Sequence, residues 1–228
     1  ANVEHRCKQK ATTTSRRTFL QTGGLALLSA GFWSESPARA SRSPNQKLNL
    51  GIIGVANRGE TNLIGVHHET ISALCDVDED YLEQRKARYP GAKRFRDFRE
   101  LLARDDIDAV VICTPTDTHA DLIERFVKAG KAVFCEKPLG TDLAEAELVA
   151  AALRGIPHQV GLVLRAAPVF GELRRRVVAG EHGRVLAVAF RDDQYFPVRG
   201  TYRSSWRGEV EHAGGGTLLE HSIHDVDL

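Results

Sequence analysis

Three features are scarce in this chain of 228 residues: long apolar runs, net charge and cysteine. No apolar run reaches the roughly 20 residues that a bilayer span needs, which argues against a membrane-spanning protein. The net charge of +1 gives no electrostatic reason to expect nucleic acid or a membrane surface as a partner. The four cysteines, Cys7, Cys75, Cys113 and Cys135, match no zinc-ligand spacing. The last three lie in apolar runs, which predicts small buried side chains rather than disulfides.

Residues 1–40 have the pattern of an export signal. A twin arginine, Arg16 and Arg17, precedes an apolar stretch over residues 25–33, and Ala38 and Ala40 then place small residues two positions apart. This order predicts a signal peptide that the twin-arginine export machinery recognises and that is cleaved after Ala40. The protein would then be periplasmic or otherwise exported, with residues 41–46 as a polar linker. The alternative is an ordinary basic, apolar N-terminal helix.

From residue 47 to residue 163, short apolar runs alternate with longer amphipathic segments, which is typical of an α/β protein. Strands are predicted over residues 48–54, 70–76, 93–95, 109–113, 131–135 and 158–163. Helices are predicted over residues 59–68, 78–89, 97–104, 117–129 and 141–155, with N-caps at Asp78, Asp97 and Thr141. Such alternation implies parallel strands joined by right-handed crossovers, so residues 47–163 predict a doubly wound parallel sheet of the Rossmann type.

The pattern changes after residue 163, and residues 164–228 predict a second set of elements. A basic helix is predicted over residues 168–180, a long alternating strand over 184–196, and a final segment from Thr217 after three consecutive glycines. This part is too short to close its own core, and it lacks the glycine, proline or polar tail usual at a domain end. We therefore expect either a fragment of a longer protein or the product of a truncated reading frame.

The first predicted strand runs into the sequence Gly-Val-Ala-Asn-Arg-Gly, a dinucleotide fingerprint with alanine at its middle position. Gly54 permits the tight turn, and Gly59 permits close approach of strand and helix. The small Ala56 lets the backbone approach a pyrophosphate at the helix N-terminus. Asn57 and Arg58 belong to the same loop and are further candidates for cofactor binding. The alternative is a glycine turn without a ligand.

The second predicted strand ends at Asp76, about 20 residues after the first glycine of the loop. A carboxylate at this point can accept hydrogen bonds from both ribose hydroxyls of a bound dinucleotide. It also repels a 2′-phosphate, and the neighbouring Val77 offers no positive charge to offset that repulsion. The sequence therefore favours NAD over NADP as the cofactor.

Two further clusters follow predicted strands, at the sheet edge where ligands of open parallel sheets bind. The cofactor-binding candidates in these clusters are Thr114, Pro115, Thr116, His119, Glu136 and Lys137. Lys137 is placed to donate to a substrate oxygen or to the nicotinamide amide, although a solvated surface lysine explains it equally well. Pro138 makes a cis peptide possible, which would fix the direction of the lysine.

Near the end of the chain, Glu220 and His224 are four positions apart and would share one face of a helix. A histidine oriented by a carboxylate is a suitable base for taking a hydroxyl proton while hydride leaves the carbon. His221 and Asp225 make a second such pair. A solvated polar helix with chance spacing explains both pairs equally well. A metal site is the least favoured interpretation of the candidate ligands His212, His221, His224 and Asp227.

Together these residues resemble the glucose–fructose oxidoreductase / inositol dehydrogenase / MocA family over roughly residues 47–228. The residues that carry the resemblance are Gly54 to Gly59, Asp76, Thr114-Pro115, His119, Glu136-Lys137-Pro138, Trp206-Arg207, Gly214-Gly215-Gly216, Glu220, His224 and Asp227. The resemblance implies a Rossmann domain followed by an α/β domain with a mostly antiparallel sheet, here incomplete. It also implies a nicotinamide cofactor, a substrate that is a sugar, a polyol or a derivative, and a homo-oligomer for a full-length relative.

Residue by residue, the resemblance gives Lys137 and His224 the positions of the catalytic lysine and histidine. Glu220 takes a position that is often aspartate, and Arg165 that of a basic residue at the domain junction. The pair Trp206-Arg207 is expected beside the cofactor. These residues complete the set of catalytic and cofactor-binding candidates.

The activity that the resemblance implies is hydride transfer between NAD and a secondary hydroxyl. His224 would take the hydroxyl proton with help from Glu220, and Lys137 would hold the substrate oxygen. Because twin-arginine export moves folded proteins and free NAD is scarce outside the cytoplasm, we expect the cofactor to be bound before export and held tightly. The sequence departs from the family pattern at Ala56, at the longer Glu220 and in its early end. An NAD-dependent glycoside hydrolase of the same fold and a truncated, non-catalytic dinucleotide-binding protein stay open as alternatives.

Overall fold

The computed structural model of the protein describes residues 46–191 and 204–228. The predicted signal peptide, residues 1–40, and all but the last residue of the predicted linker lie outside the described residues. The strands in the described part are β1 (Asn49–Ile53), β2 (Thr70–Cys75), β3 (Lys93–Phe95), β4 (Ala109–Ile112), β5 (Ala132–Cys135) and β6 (His158–Val160).

These strands form one parallel sheet in the order β3-β2-β1-β4-β5-β6. The chain builds outward from β1 to β3 and then crosses back to β4, which lies against the other side of β1. The connections that leave β1 and β4 therefore run in opposite directions, and a crevice opens at the carboxyl ends of these two strands. The predicted doubly wound parallel sheet is confirmed.

The central strands β1 and β4 form because they are apolar on both faces, and the pleat sends neighbouring side chains to opposite sides of the sheet. In β4, Val110 and Ile112 pack into one buried cluster together with Phe126, whereas Val111 packs into a second cluster together with Ile52. The core therefore lies in two layers, one on each face of the sheet. Full burial of such a side chain contributes about 1.5–3 kcal/mol to folding.

Helices cover both faces and join consecutive strands. They are α1 (Arg58–Gly65), α2 (Glu79–Lys86), α3 (Phe98–Leu102), α4 (His119–Lys128), which follows a 3₁₀ turn at Thr116–Thr118, and α5 (Leu143–Ala152). Each helix begins close to the carboxyl end of the preceding strand, so its N-terminus lies at the same sheet edge as the crevice.

Side-chain carboxylates cap three of these helices. Asp78 and Asp97 each accept a hydrogen bond from a backbone N–H two residues further on, at 2.9 Å, which confirms both predicted caps. The cap predicted at Thr141 is wrong, because Asp142 accepts the hydrogen bond from the N–H of Glu145 at 2.8 Å. The Thr141 hydroxyl donates instead to the Glu145 carboxylate at 2.9 Å.

After β6, the described residues form helices and turns. They are a 3₁₀ turn at Val163–Ala166, α6 (Pro168–Val178), a 3₁₀ turn at Ser205–Gly208, α7 (Val210–Ala213), α8 (Gly216–Glu220) and α9 (Ile223–Asp227). The helix predicted over residues 168–180 is confirmed. In the described ranges, no helix has the length and apolar character that crossing a membrane requires.

The strand predicted over residues 184–196 is wrong for residues 184–191, and residues 192–196 lie outside the described part. A strand needs a neighbour that completes its hydrogen-bond ladder, and no described strand pairs with this segment. Its alternating apolar side chains, Leu186, Val188 and Phe190, are half exposed or more. Alternation alone therefore does not make a strand here.

Candidate active site

A cavity of about 800 Å³ lies at the carboxyl ends of β1 to β4, within the range typical of small-molecule and cofactor sites. The predicted site residues on its wall are Gly54, Ala56, Asn57, Arg58, Asp76, Thr114, Pro115, Trp206 and Arg207. The predicted site residues that do not line it are Gly59, Thr116, His119, Glu136, Lys137, Arg165, Glu220 and His224. The structure therefore divides the candidate residues into those that line the cavity and those that do not.

The loop between β1 and α1 needs glycine at both ends of the fingerprint. Gly54 has a φ of +81°, and a Cβ there would lie 2.8 Å from the carbonyl oxygen of Cys113. A Cβ at Gly59 would lie 1.8 Å from the carbonyl oxygen of Gly54, an impossible contact. Between them, Asn57 also has a positive φ of 49°, which asparagine tolerates better than most residues. The backbone thus forms the close turn that a pyrophosphate cradle requires.

Asp76 faces the cavity from the end of β2. Its Oδ2 accepts a hydrogen bond from the N–H of Val55 at 2.8 Å, and its Oδ1 accepts one from the N–H of Asp78 at 3.1 Å. These bonds hold the carboxylate in one orientation, and each oxygen keeps the capacity to accept another hydrogen bond. This geometry fits the two hydroxyls of a ribose.

Glu136 lies behind the cavity and braces Arg58. It is 5% exposed, and its Oε1 accepts hydrogen bonds from Arg58 Nε and Asn62 Nδ2, each at 2.8 Å. A Cβ at Gly161 would lie 2.8 Å from Glu136 Oε2, so a larger residue there would displace this carboxylate. Glu136 therefore fixes Arg58 at the start of α1 rather than facing the cavity itself.

The buried side chain of His119 connects the loops that follow β4 and β5. It is 1% exposed, with Nδ1 at 2.7 Å from the carbonyl oxygen of Pro138 and Nε2 at 2.9 Å from that of Thr114. A neutral imidazole can donate only one of these hydrogen bonds. Burial lowers the pKa of His119 below its ordinary value of 6.5. The residue therefore ties the loop after β4 to the loop after β5.

Lys137 is buried, which excludes the solvated surface lysine. Its side chain is 13% exposed, and its Nζ donates to the backbone carbonyl of Glu220 and lies 3.6 Å from Glu220 Oε2. Burial lowers the pKa of Lys137, while the Glu220 carboxylate opposes that shift. The peptide bond between Lys137 and Pro138 is cis, as the sequence allowed.

Glu220 joins the end of the chain to the Rossmann part. It is 1% exposed; its Oε1 accepts from Thr116 Oγ1 at 3.1 Å, and its Oε2 accepts from Arg207 Nε at 3.2 Å. The Arg207 guanidinium carbon lies 4.5 Å from the centre of the Trp206 ring, a cation–π contact. The carboxylate thus contacts both Lys137 and Arg207, and Arg207 in turn contacts Trp206 on the cavity wall.

The predicted pairing of Glu220 with His224 differs from the structure. α8 ends at Glu220 and α9 begins at Ile223, so a turn interrupts the helix and the carboxylate bonds to Thr116 and Arg207 instead. His224 Nδ1 is buried and has no hydrogen-bond partner among the described groups. Burial and the positive charge of Lys137 lower the pKa of His224 below 6.5. The imidazole is therefore neutral near pH 7 and lies within electrostatic reach of Lys137.

Two ion pairs flank this group. Arg165 forms a two-point contact with Asp227, with Nε at 2.6 Å from Oδ2, so the structure pairs it within the protein rather than on the cavity wall. His212 Nδ1 lies 2.6 Å from Oδ2 of Asp117, and this contact raises the pKa of His212. Both pairs connect residues after 161 to each other or to the Rossmann part.

Among the cavity residues that the sequence did not predict are two arginines, Arg96 and Arg99, which follow β3. Their position after a predicted strand, at the edge where ligands bind, was the available signal. Among the residues that the structure describes, no group of three or more His, Cys, Asp or Glu side chains is arranged to hold a metal ion.

The three cysteines in the described part of the chain lie at the carboxyl ends of strands, and their thiols are free. Cys75 ends β2, Cys135 ends β5, and Cys113 follows β4. Burial raises the pKa of Cys75 and of Cys113 to about 12 and raises that of Cys135 well above its ordinary value. The prediction of small buried side chains holds, although Cys113 is only partly covered.

Known proteins with similar sequences include an inositol dehydrogenase and a sugar reductase. Inositol 2-dehydrogenase of Rhizobium meliloti is 36% identical over 190 residues, which are 79% of this chain and 53% of that protein. 1,5-Anhydro-D-fructose reductase of Ensifer adhaerens is 33% identical over 183 residues, 78% of this chain and 54% of that protein. The chain thus spans about half the length of the curated relatives it matches.

A solved structure of scyllo-inositol dehydrogenase from Lactobacillus casei, with bound NAD(H) and scyllo-inositol, superimposes with a TM-score of 0.57 at 27% identity. The match covers 60% of this chain and 43% of that one. Residues 48–161 match the model of the oxidoreductase family with an NAD-binding Rossmann fold, and residues 170–228 match the C-terminal domain of the same family. The chain therefore belongs to the GFO/IDH/MocA oxidoreductase family and carries its NAD-binding Rossmann domain.

Proposed function

We propose that the protein is a nicotinamide-dependent oxidoreductase that transfers hydride to or from a secondary hydroxyl of a sugar, a polyol or a derivative. The observation that carries the proposal is the group of Lys137, Glu220 and His224, which is buried or half-buried around the lysine nitrogen. The relatives named above are dehydrogenases and a reductase, which favours hydride transfer over glycoside hydrolysis.

The cofactor half of the proposal rests on the glycine loop and Asp76. The turn that Gly54 and Gly59 allow leaves backbone N–H groups at the start of α1 available to a pyrophosphate. The oriented carboxylate of Asp76 would hold the ribose hydroxyls, and Thr114 and Pro115 would lie towards the nicotinamide. NAD bound there supplies the acceptor for the hydride.

The chemical half rests on the protonation states of two side chains. A neutral His224 can accept the hydroxyl proton of the substrate at a ring nitrogen. Lys137 would donate to the same substrate oxygen. The contacts of its Nζ with Glu220 and the shielding of its side chain from solvent support this role, because they fix the position of the ammonium group. In this scheme Glu220 positions Lys137 and does not assist the histidine directly. This reverses the role that the sequence suggested.

Cofactor binding can be tested by titrating the protein with NADH and following energy transfer from tryptophan to the nicotinamide. Trp206 lies on the cavity wall, so we expect saturable transfer. The Trp206→Phe variant should lose most of the transfer while calorimetry still detects binding. A folded protein that shows neither transfer nor heat of binding would contradict the cofactor half of the proposal.

Catalysis can be tested with a panel of inositols and sugars, with NADH formation as the readout. His224→Asn should lower kcat by about 10²- to 10⁴-fold, the usual contribution of a general base. Its affinity for NAD should change little, because His224 lies off the cavity wall. An unchanged kcat in this variant would show that His224 is not the general base.

We also propose that residues 1–40 direct twin-arginine export and that the cofactor is bound before export and held tightly. The support is the order of twin arginine, apolar stretch and small residues at Ala38 and Ala40. Replacing Arg16 and Arg17 by lysine should keep a reporter fusion in the cytoplasm. A wild-type fusion that also stays there, or bound NAD that exchanges within seconds, would each overturn one half of this proposal.

A further inference from the structure

The ends of β2 and β3 lie side by side at the cavity. Cys75 pairs with Phe95 in the parallel register, and the N–H of Asp76 donates to the carbonyl of Phe95 at 3.2 Å. Asp76 and Arg96 therefore follow neighbouring strand ends, and both line the cavity. Arg96 Nη2 donates to the carbonyl of Val77 at 3.1 Å, which directs the guanidinium towards the Asp76 loop.

Four arginines line the cavity, and three of them are paired with a carboxylate. Arg58 pairs with Glu136, Arg99 with Asp97, and Arg207 with Glu220. For Arg96 the structure gives a backbone carbonyl as partner and, within the described residues, no carboxylate. Arg96 is therefore the cavity cation whose charge is left for a ligand.

We propose that Arg96 determines cofactor choice by pairing with the 2′-phosphate of NADP, so that the protein accepts NADP as well as NAD. A guanidinium presents a planar set of donors that matches a phosphate, and such charge-assisted pairs are stronger than neutral hydrogen bonds. Asp76 repels the phosphate, and Arg96 supplies the positive charge that Val77 does not. This inference rests on the proposed cofactor site.

The location of Arg96 also separates it from the other phosphates of the cofactor. The pyrophosphate cradle is the loop from Gly54 to Gly59 after β1, whereas β3 is two strands away at the edge of the sheet. The strand between them, β2, is followed by Asp76, the expected partner of the adenosine ribose. Of the phosphates of the cofactor, one on that ribose would therefore lie closest to Arg96.

The test is to measure the dissociation constants of NAD⁺ and NADP⁺ by calorimetry on the full chain. The matched control is Arg94→Ala, which removes the same charge two positions earlier, on a residue that pairs with Glu83 and does not line the cavity. Binding of 5′-AMP and of adenosine 2′,5′-bisphosphate to the same proteins isolates the 2′-phosphate, because the two nucleotides differ in that group alone.

We expect the wild-type chain to bind both cofactors, with NAD⁺ the tighter. Arg96→Ala should raise the ratio of the NADP⁺ to the NAD⁺ dissociation constant by about 10-fold or more, the usual worth of a hydrogen bond to a charged group. Arg94→Ala should leave the ratio unchanged. Arg96→Ala should weaken the binding of adenosine 2′,5′-bisphosphate more than that of 5′-AMP.

An unchanged ratio in Arg96→Ala would overturn the inference, since equal weakening of both cofactors means that Arg96 contacts the part they share. NAD⁺ binding without NADP⁺ binding in the wild-type chain would overturn it too, and would leave the proposed oxidoreductase function standing. Failure of a folded chain to bind either cofactor would overturn both.

Discussion

Residues 48–161 contain every buried apolar side chain that the structure describes except Ala213, whereas the residues after 161 are held mainly by polar contacts. The principal contacts of the later part with the Rossmann part are those of Glu220 with Thr116 and Lys137 and of His212 with Asp117. A core of packed apolar groups is stable by itself, while buried ion pairs give little net stability but fix geometry. We therefore expect mutations in residues 48–161 and mutations in the residues after 161 to have different effects on stability.

The largest loss of stability is expected at Gly59, where the Rossmann part has no space for a side chain. Gly59→Ala forces a Cβ to within 1.8 Å of a backbone oxygen, so the loop and α1 must move apart. We expect a loss of at least about 4 kcal/mol in the free energy of unfolding. Urea denaturation measures this loss. Gly65→Ala, where a Cβ meets no atom within 4 Å, is the control and should be neutral or slightly stabilising.

A smaller and more local effect is expected at the junction. Glu220→Ala leaves Lys137 and Arg207 without their shared carboxylate, which weakens docking of the later part by on the order of 3 kcal/mol. Hydrogen exchange should rise in residues 204–228 and stay slow in the strands. If the strands lose protection to the same extent, the two parts unfold as one cooperative unit, and residues 48–161 are not stable independently of the residues after 161.

Acid should act on the Rossmann half through His119. Burial lowers the folded-state pKa below the 6.5 of a free imidazole, so the unfolded chain binds a proton more readily. Stability is then greatest above pH 6.5 and is lost as the pH falls below it, by up to about 1.4 kcal/mol per pH unit for this group. Thermal melts at several pH values measure the slope. His119→Gln should have a shallower slope below pH 6.5, and an unchanged slope would assign the effect to other groups.

The smallest effect is expected at the start of α5. Asp142→Ala removes the side chain that caps the helix and should lower the free energy of unfolding by about 1 kcal/mol. Thr141→Val should cost less, because Thr141 does not accept the capping hydrogen bond. If urea denaturation shows a larger loss for Thr141→Val than for Asp142→Ala, Thr141 is the cap, as the sequence predicted.

The sheet could be predicted from the sequence because its signal is local. Continuous apolar runs rich in β-branched residues mark buried parallel strands, and β1 to β5 begin and end within one residue of their predicted limits. The glycine fingerprint and Asp76 were predictable for the same reason. Each is fixed by a strand and the turn that follows it.

The catalytic group was less predictable because its contacts are distant in sequence. The hydrogen bond from Thr116 to Glu220 spans 104 positions, and the contact of Lys137 with Glu220 spans 83. Helical spacing suggested His224 as the partner of Glu220, but the turn after Glu220 directs the carboxylate elsewhere. Arg96 was missed because only the pairing of β2 with β3 brings it beside Asp76.

The buried thiols have a practical consequence for chemical labelling. Maleimides and alkyl halides react with the thiolate, and a pKa of about 12 leaves Cys75 and Cys113 almost entirely protonated at neutral pH. A cysteine introduced at Leu148, whose side chain on α5 is 73% exposed, should therefore take up a dye far faster than the native cysteines of the sheet. In a chain that also lacks Cys7, a fluorophore could report on the Rossmann half without any change to its core.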